Sequence, residues 1–228
     1  MPLDLNVRVP SSDRLKSYIE MADKLGLTGF ATSLPLESPI TNTTEGVVLL
    51  ARTDLDGRRL ESTKRQLVRI RRQSAVIALP LTDIEVSNWA AEDRRVDLLT
   101  VADLSKEHII RQSTANLAAE SEIALEIPIA PLLETCGLDR SKVLRVYRES
   151  VATAMSAGMK TVLSSCVSQP IMMRAPSAMW HIGILLGMDK RHSRQAVYEV
   201  PDRILSLSER KRKSETIAPG IDLIQEDE

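Results

Sequence analysis

At 228 residues, with 43% hydrophobic side chains, the chain carries enough apolar surface for one sizeable core, which excludes a disordered or fibrous protein. Its net charge of −1 excludes attraction to polyanions through an overall basic field, although the cations are uneven in kind, 21 Arg against 9 Lys. Aromatic residues make up 3% of the chain, which excludes a base-stacking platform; any RNA contact must rest mainly on phosphates and shape.

Residues 3–7 read as a short opening strand. Ser11 or Ser12 then caps a helix to about residue 25, with Leu15, Ile19, Ala22 and Leu25 on one face and Gly26 at its end. Residues 29–33 form a second strand, and Pro35 and Pro39 punctuate the loop behind it. The run 46–51 is continuously apolar, as strands buried on both faces of a parallel sheet are. Asp54, Asp56 and Gly57 turn the chain into a helix over 60–72, with Leu60, Leu67 and Ile70 in periodic positions. A strand over 75–79 stops at Pro80, a helical piece covers 88–93, and a strand covers 96–101. A helix over 107–119 leads to the strand 123–127, which ends at Pro128. A long helix begins at Asp139 or Ser141 and stops at Gly158, and 161–165 is the seventh strand-like run. Three helices follow over 177–188, 193–200 and 201–211, with Pro201 suited to a first turn.

Strands alternating with helices predict a parallel sheet flanked by helices. Barrel closure does not follow from alternation alone. An open, doubly wound sheet would place a Gly-rich phosphate loop after its first strand, where this chain has Arg8-Val9-Pro10-Ser11-Ser12. One α/β domain over 1–213 is expected, with an acidic, flexible tail over 214–228. No apolar run approaches the roughly 18 residues of a membrane span, and Met1-Pro2-Leu3-Asp4 lacks a signal-peptide pattern. Cys136 and Cys166 stand apart and read as reduced thiols, so a cytoplasmic protein is expected.

The chemistry-bearing residues do not assemble into a catalytic set. A metal-dependent hydrolase on a barrel would carry His-X-His on its first strand, where this chain has Asp4 and Asn6. His108, His181 and His192 are scattered through predicted helices. Asp4, Asp97 and Glu126 are strand carboxylates that fit either a magnesium ion or internal pairing with Arg. Ser164-Ser165-Cys166 follows the seventh strand at a barrel's functional face but lacks an evident base; the serines can instead offer hydroxyl and N–H groups to a phosphate. Arg52, Arg58, Arg59, Lys64, Arg65, Arg69, Arg71 and Arg72 form a basic stretch. Within it Arg58, Arg65, Arg69 and Arg72 share a helical face, either an RNA contact or a solvated surface. Residues 210–213, Arg-Lys-Arg-Lys, fit a helix end.

Residues 162–176, which include Ser164-Ser165 and Met173-Arg174-Ala175-Pro176, lead into a helix closing in Leu186-Gly187-Met188. Val96-Asp97-Leu98-Leu99, Glu122-Ile123-Ala124-Leu125-Glu126-Ile127 and Pro131-Leu132-Leu133 precede them in order. This series resembles protein component 3 of archaeal ribonuclease P, homologous to the eukaryotic thirty-kilodalton subunit. The chain departs from that pattern at Cys166-Val167, where the family often has Gly-Ala, at Ala130, where an Arg is usual, and at Ser177-Ala178. The resemblance implies a TIM-barrel-like fold and a subunit of the particle that matures the 5′ end of tRNA precursors. It implies the ribonuclease P RNA and the small ferredoxin-like component 2 as partners and pre-tRNA as substrate of the complex. It also implies no cofactor on the chain, with magnesium needed by the RNA. The RNA-contact residues expected are Arg174, Ser164, Ser165, Lys106, Arg52, Arg65, Arg69 and Arg72. Arg174 has an alternative, internal pairing with Asp97 or Glu126. The contrasting function is a metal-dependent phosphoesterase on the related histidinol-phosphatase-like barrel, from which the missing His-X-His separates the chain.

Overall fold

The structure is a computed structural model and describes residues 2–102, 104 and 110–213; Lys106 and the expected tail over 214–228 lie outside them. The strands are β1 (Leu3–Asp4), β2 (Gly29–Thr32), β3 (Ile40–Asn42), β4 (Val48–Asp54), β5 (Val76–Pro80), β6 (Leu98–Thr100), β7 (Ala124–Pro128) and β8 (Thr161–Ser164). The helices are α1 (Leu15–Lys24), α2 (Leu60–Ile70), α3 (Ile84–Glu92), α4 (Gln112–Glu120), α5 (Ala130–Glu134), α6 (Gly137–Ser156), α7 (Pro176–Leu185), α8 (Lys190–Tyr198) and α9 (Val200–Lys213). Among the described residues, seven strands run parallel in the order β1-β2-β4-β5-β6-β7-β8, and β3 lies antiparallel on β4.

The sheet curls until its two ends meet. Val7 bridges Val167, the Arg8 N–H donates to the Val167 carbonyl at 3.0 Å, and the Cys166 N–H donates to the Asn6 carbonyl at 2.7 Å. Towards the start of β1 the Asp4 carboxylate serves the seam in place of main chain: one oxygen accepts the N–H groups of Ser165 at 3.0 Å and Asn6 at 3.1 Å. The result is a nearly closed, TIM-barrel-like β/α barrel.

Successive strand residues point to opposite faces, so every second one faces the barrel axis. Leu3, Leu50, Val76, Leu98, Ala124 and Val162 share one buried apolar cluster with Val200 and Ile204 of α9, which covers this end of the barrel. Helix α9 is fastened there by the Ser208 hydroxyl on the Ala75 carbonyl, 2.6 Å, and by Lys211 on Asp97, 2.9 Å. Two residues further along their strands come Arg52, Thr100, Glu126 and Ser164, all buried. A larger apolar cluster lies between the sheet and helices α2 to α8, and a third lies beneath α1.

Helix α7 begins at Pro176, which needs no N–H there, and Ala175 before it is extended at φ −61°, ψ 149°. It ends where Gly187 takes φ +100°, a conformation that favours glycine. Gly183 lets α7 lie close on α8, because a Cβ at that position would collide with the Ser193 side chain. Among the described residues no helix is long and apolar enough to cross a membrane.

Candidate functional site

Arg52 was expected to reach RNA, but the structure places it inside the barrel with its side chain 1% exposed. All five of its N–H donors are used. Nη1 donates to Glu126 Oε1 at 2.8 Å and the Leu5 carbonyl at 2.6 Å, and Nη2 donates to Glu126 Oε2 at 2.7 Å and Asp54 Oδ1 at 2.8 Å. Nε completes the set on Asp54 Oδ1 at 3.0 Å, and Thr100 Oγ1 donates to Glu126 Oε2 at 2.6 Å. This network spans the interior from β4 to β7, and a guanidinium so saturated has nothing left for a phosphate.

Ser164 and Ser165 are also corrected. Both are fully buried. Among the described residues the inward-facing Ser164 hydroxyl has no hydrogen-bond partner, and the Ser165 hydroxyl donates to the Asn6 carbonyl at 3.2 Å. The pair belongs to the closing seam and offers no external phosphate cradle. Burial pushes the Cys166 thiol up to about 11, which keeps it protonated and poorly nucleophilic near neutral pH. Its backbone has φ +55°. The family pattern often has glycine at this step, the residue that takes such a conformation without strain.

Burial raises the Asp4 carboxyl from 3.8 to about 6, with the hydrogen bonds from Ser165 and Asn6 drawing it part-way back. A folded value above the unfolded one means that the native state holds the proton more tightly. The stability this group supplies is complete below the unfolded value and is lost as pH rises through the folded value of about 6. The offset is worth on the order of 3 kcal/mol. Measured against Asp4→Asn by denaturant unfolding, the unsubstituted chain should therefore lose about that much stability between roughly pH 4 and 7. Parallel stability curves for the two proteins would contradict this.

The other arginines expected at RNA lie at or near the surface, whereas Arg71 of the same stretch is buried. Arg65 and Arg69 are exposed on α2 and Arg72 just beyond its end, whereas Arg58 precedes the helix and pairs with Asp56 at 3.3 Å. Arg58 therefore drops out of the helical face expected for it. Arg174 is half-buried, and its Nη1 donates to the carbonyls of Met173 at 2.9 Å and Ile171 at 3.2 Å. It pairs with neither expected carboxylate. Glu126 is held by Arg52, and Asp97 by Arg71 at 2.7 Å and Lys211 at 2.9 Å. Helix α2 packs against α3, while Arg174 lies in the loop after β8, so the structure makes two separate cationic stations rather than one patch.

The nearly closed barrel is the fold that the resemblance in the sequence implies, and a comparison of the whole chain decides the family. The profile of the family described as RNase P subunit p30 matches residues 1–213. The chain belongs to this family of ribonuclease P subunits. Among its p30-family relatives, ribonuclease P protein component 3 of Methanosarcina barkeri is 25% identical over 182 residues, covering 80% of this chain and 76% of the relative. The component 3 of Methanosarcina acetivorans is 23% identical over 204 residues, 87% of this chain and 85% of that one. A chain in the cryo-EM structure of archaeal ribonuclease P with mature tRNA superposes with a TM-score of 0.74 over 99% of both chains at 16% identity, which shows that the p30 fold is shared.

Sequence reasoning missed the saturation of Arg52, although the signal was present. Arg52 stands two residues after Leu50 on an apolar strand, which gives it the same inward face. It also passed over Arg14, the cap of α1, and Lys24 at its end, whose spacing places them on one stripe with Ser17 and Met21.

Proposed function

We propose that this chain supports the RNA of ribonuclease P during 5′ maturation of tRNA precursors, through phosphate and shape contacts, and takes no chemical part in the cleavage. The observation that carries this reading is the internal use of the barrel's carboxylates. Asp4 holds the seam, Glu126 is bound by Arg52 and Thr100, and Asp97 is bound by Arg71, Lys211 and the Ile77 N–H. Magnesium needs several oxygen ligands converging on one point. These three carboxylates are each occupied elsewhere, and among the described residues no three His, Cys, Asp or Glu side chains group to hold a metal. They do not fit a magnesium site, and the magnesium of the reaction is assigned to the RNA.

The cationic stations supply the contacts. Arg174 in the loop after β8 and Arg65, Arg69 and Arg72 at α2 present guanidinium groups suited to phosphate oxygens. Partnership with RNA is supported by the relatives' name and by the fold shared with a chain of archaeal ribonuclease P bound to mature tRNA. Partnership with component 2 is carried over from the family. The isolated chain is expected to leave pre-tRNA intact with any divalent metal. RNA-free cleavage that disappears on replacing Asp4 or Asp97 would overturn this reading.

A further inference from the structure

Arg14, which caps helix α1, is followed on that helix by Ser17, Met21 and Lys24, spaced three, four and three residues apart and so on one stripe. That stripe forms one wall of a groove of about 720 Å³ whose other wall is residues 168–171, the loop after β8. The two walls are riveted together. The buried Tyr18 hydroxyl donates to the Ser168 carbonyl at 2.5 Å, and Tyr18, Ile19 and Ala22 share an apolar cluster with Met173. The groove is therefore part of the packed fold, and an occupant need not pay to order it.

Its surface is two-natured. Pro10, Met21, Pro170 and Ile171 give an apolar lining, and Ile171 is 70% exposed. Arg14 and Lys24 stand at the two ends of the stripe, about 15 Å apart at the rise of an α-helix. Two further cations flank the groove. Arg174 hydrogen-bonds the Ile171 carbonyl, and the exposed Arg8 is joined through its N–H to Val167, next to Ser168. Among the described residues none of these four cations pairs with a carboxylate, and the one acid in the lining is Glu20. This contrasts with Arg52, Arg71 and Arg95, whose charges are met within the fold. An apolar bed between unmatched positive ends fits an occupant that is both anionic and partly apolar.

We propose that this groove holds an unpaired stretch of RNA, with phosphates on Arg14 and Lys24 and a base resting on Met21, Pro170 and Ile171. The proposal rests on the RNA-binding reading above and adds where and in what form RNA is held. A regular duplex turns its bases inwards and would leave the apolar bed bare, whereas an unpaired strand can present phosphate and base together. Among the described residues no aromatic ring lines the groove, so the hold comes from charge and aliphatic contact and discriminates little between bases.

The test uses the full chain and a short fluorescent oligouridylate, with binding followed by anisotropy across a salt series. Arg14→Ala/Lys24→Ala is compared with Arg191→Ala/Arg194→Ala, two exposed arginines on α8 outside any proposed site. The groove pair should weaken binding roughly tenfold or more at low salt and lower the salt slope by about 1.4, two contacts at about 0.7 each. The α8 pair should stay within about twofold, as removal of distant surface charge does. Crosslinking of 4-thiouridine RNA to the unsubstituted chain should map to α1 and residues 168–171, a readout independent of any variant's folding. Unchanged affinity and slope in the groove pair, crosslinks elsewhere, or binding of ribonuclease P RNA without binding of the oligouridylate would each overturn the groove assignment alone. So would a groove pair that keeps RNA but loses a protein partner. Failure of the unsubstituted chain to bind either RNA would overturn the RNA-binding reading beneath it.

Discussion

Replacing Glu126 with alanine is expected to destabilise the chain by about 3–5 kcal/mol, the cost of breaking a buried ion pair by removing one partner. Arg52 would keep its Asp54 and Leu5 contacts but lose both bonds to Glu126 inside the barrel, where its side chain is 1% exposed and that of Glu126 is 0% exposed. For a domain of this size the melting temperature should fall by roughly 10 °C or more. Arg52→Met/Glu126→Leu, which removes both charges and keeps apolar volume, should recover much of that loss, because well-packed hydrophobic residues often equal a buried pair. RNA binding by the double variant, measured below its unfolding transition, should match that of the unsubstituted chain, since Arg52 has no free donor. A loss from Glu126→Ala smaller than about 1 kcal/mol would place the Arg52 network in solvent rather than in a core.

RNA binding by the full chain should fall steeply with salt despite the net charge of −1. Each phosphate met by a cation releases counterions, so four to six contacts lose on the order of a hundredfold between low and physiological salt. Arg174→Ala should weaken binding and lower the slope by roughly 0.7 to 0.9, one contact. Its melting temperature should barely move, because Arg174 is half-buried and, among the described residues, hydrogen-bonds only the Ile171 and Met173 carbonyls. Arg174→Lys should recover part of the affinity, since an ammonium keeps the charge without the two-pronged geometry. A flat salt response in the unsubstituted chain would reduce the exposed arginines to a solvated surface. A large drop in melting temperature in Arg174→Ala would make that residue structural.

The barrel was legible wherever apolar runs met chain breakers. Val48 to Ala51 and residues 75–79 could be placed as strands because they are apolar throughout, and Pro80 and Pro128 mark strand ends. Two elements were not legible. β3 is three residues long and exists through its pairing with β4, so no local pattern announces it. α5 spans five residues with Pro131 in its first turn, too short to show a helical period. The opening strand is shorter than expected, Leu3–Asp4 against residues 3–7, because the side chain of Asp4 takes over part of the seam that ladder hydrogen bonds would fill.

For the candidate site, residue type was legible but placement was not. The sequence shows a run of cations from Arg52 to Arg72, and residue type does not separate Arg52, turned inwards by parity on β4, from Arg65, Arg69 and Arg72, exposed on and just beyond α2. Ser164 and Ser165 look like a phosphate cradle because they close a strand, yet closure of the barrel buries both, Ser164 in the interior and Ser165 in the seam. The groove joins α1 to residues 168–171, far apart in the chain, and a pairing of that kind arises only when β1 and β8 meet.

A chain that works by supporting RNA should change what the RNA needs from magnesium. Pre-tRNA cleavage by ribonuclease P RNA is titrated with magnesium, first with RNA alone, then with the chain and component 2 added. The chain should lower the magnesium needed for half-maximal cleavage, since protein cations that neutralise phosphates take over part of the ion's task of holding the RNA together. An identical magnesium requirement with and without the chain, despite its stable binding to the RNA, would contradict a supporting role.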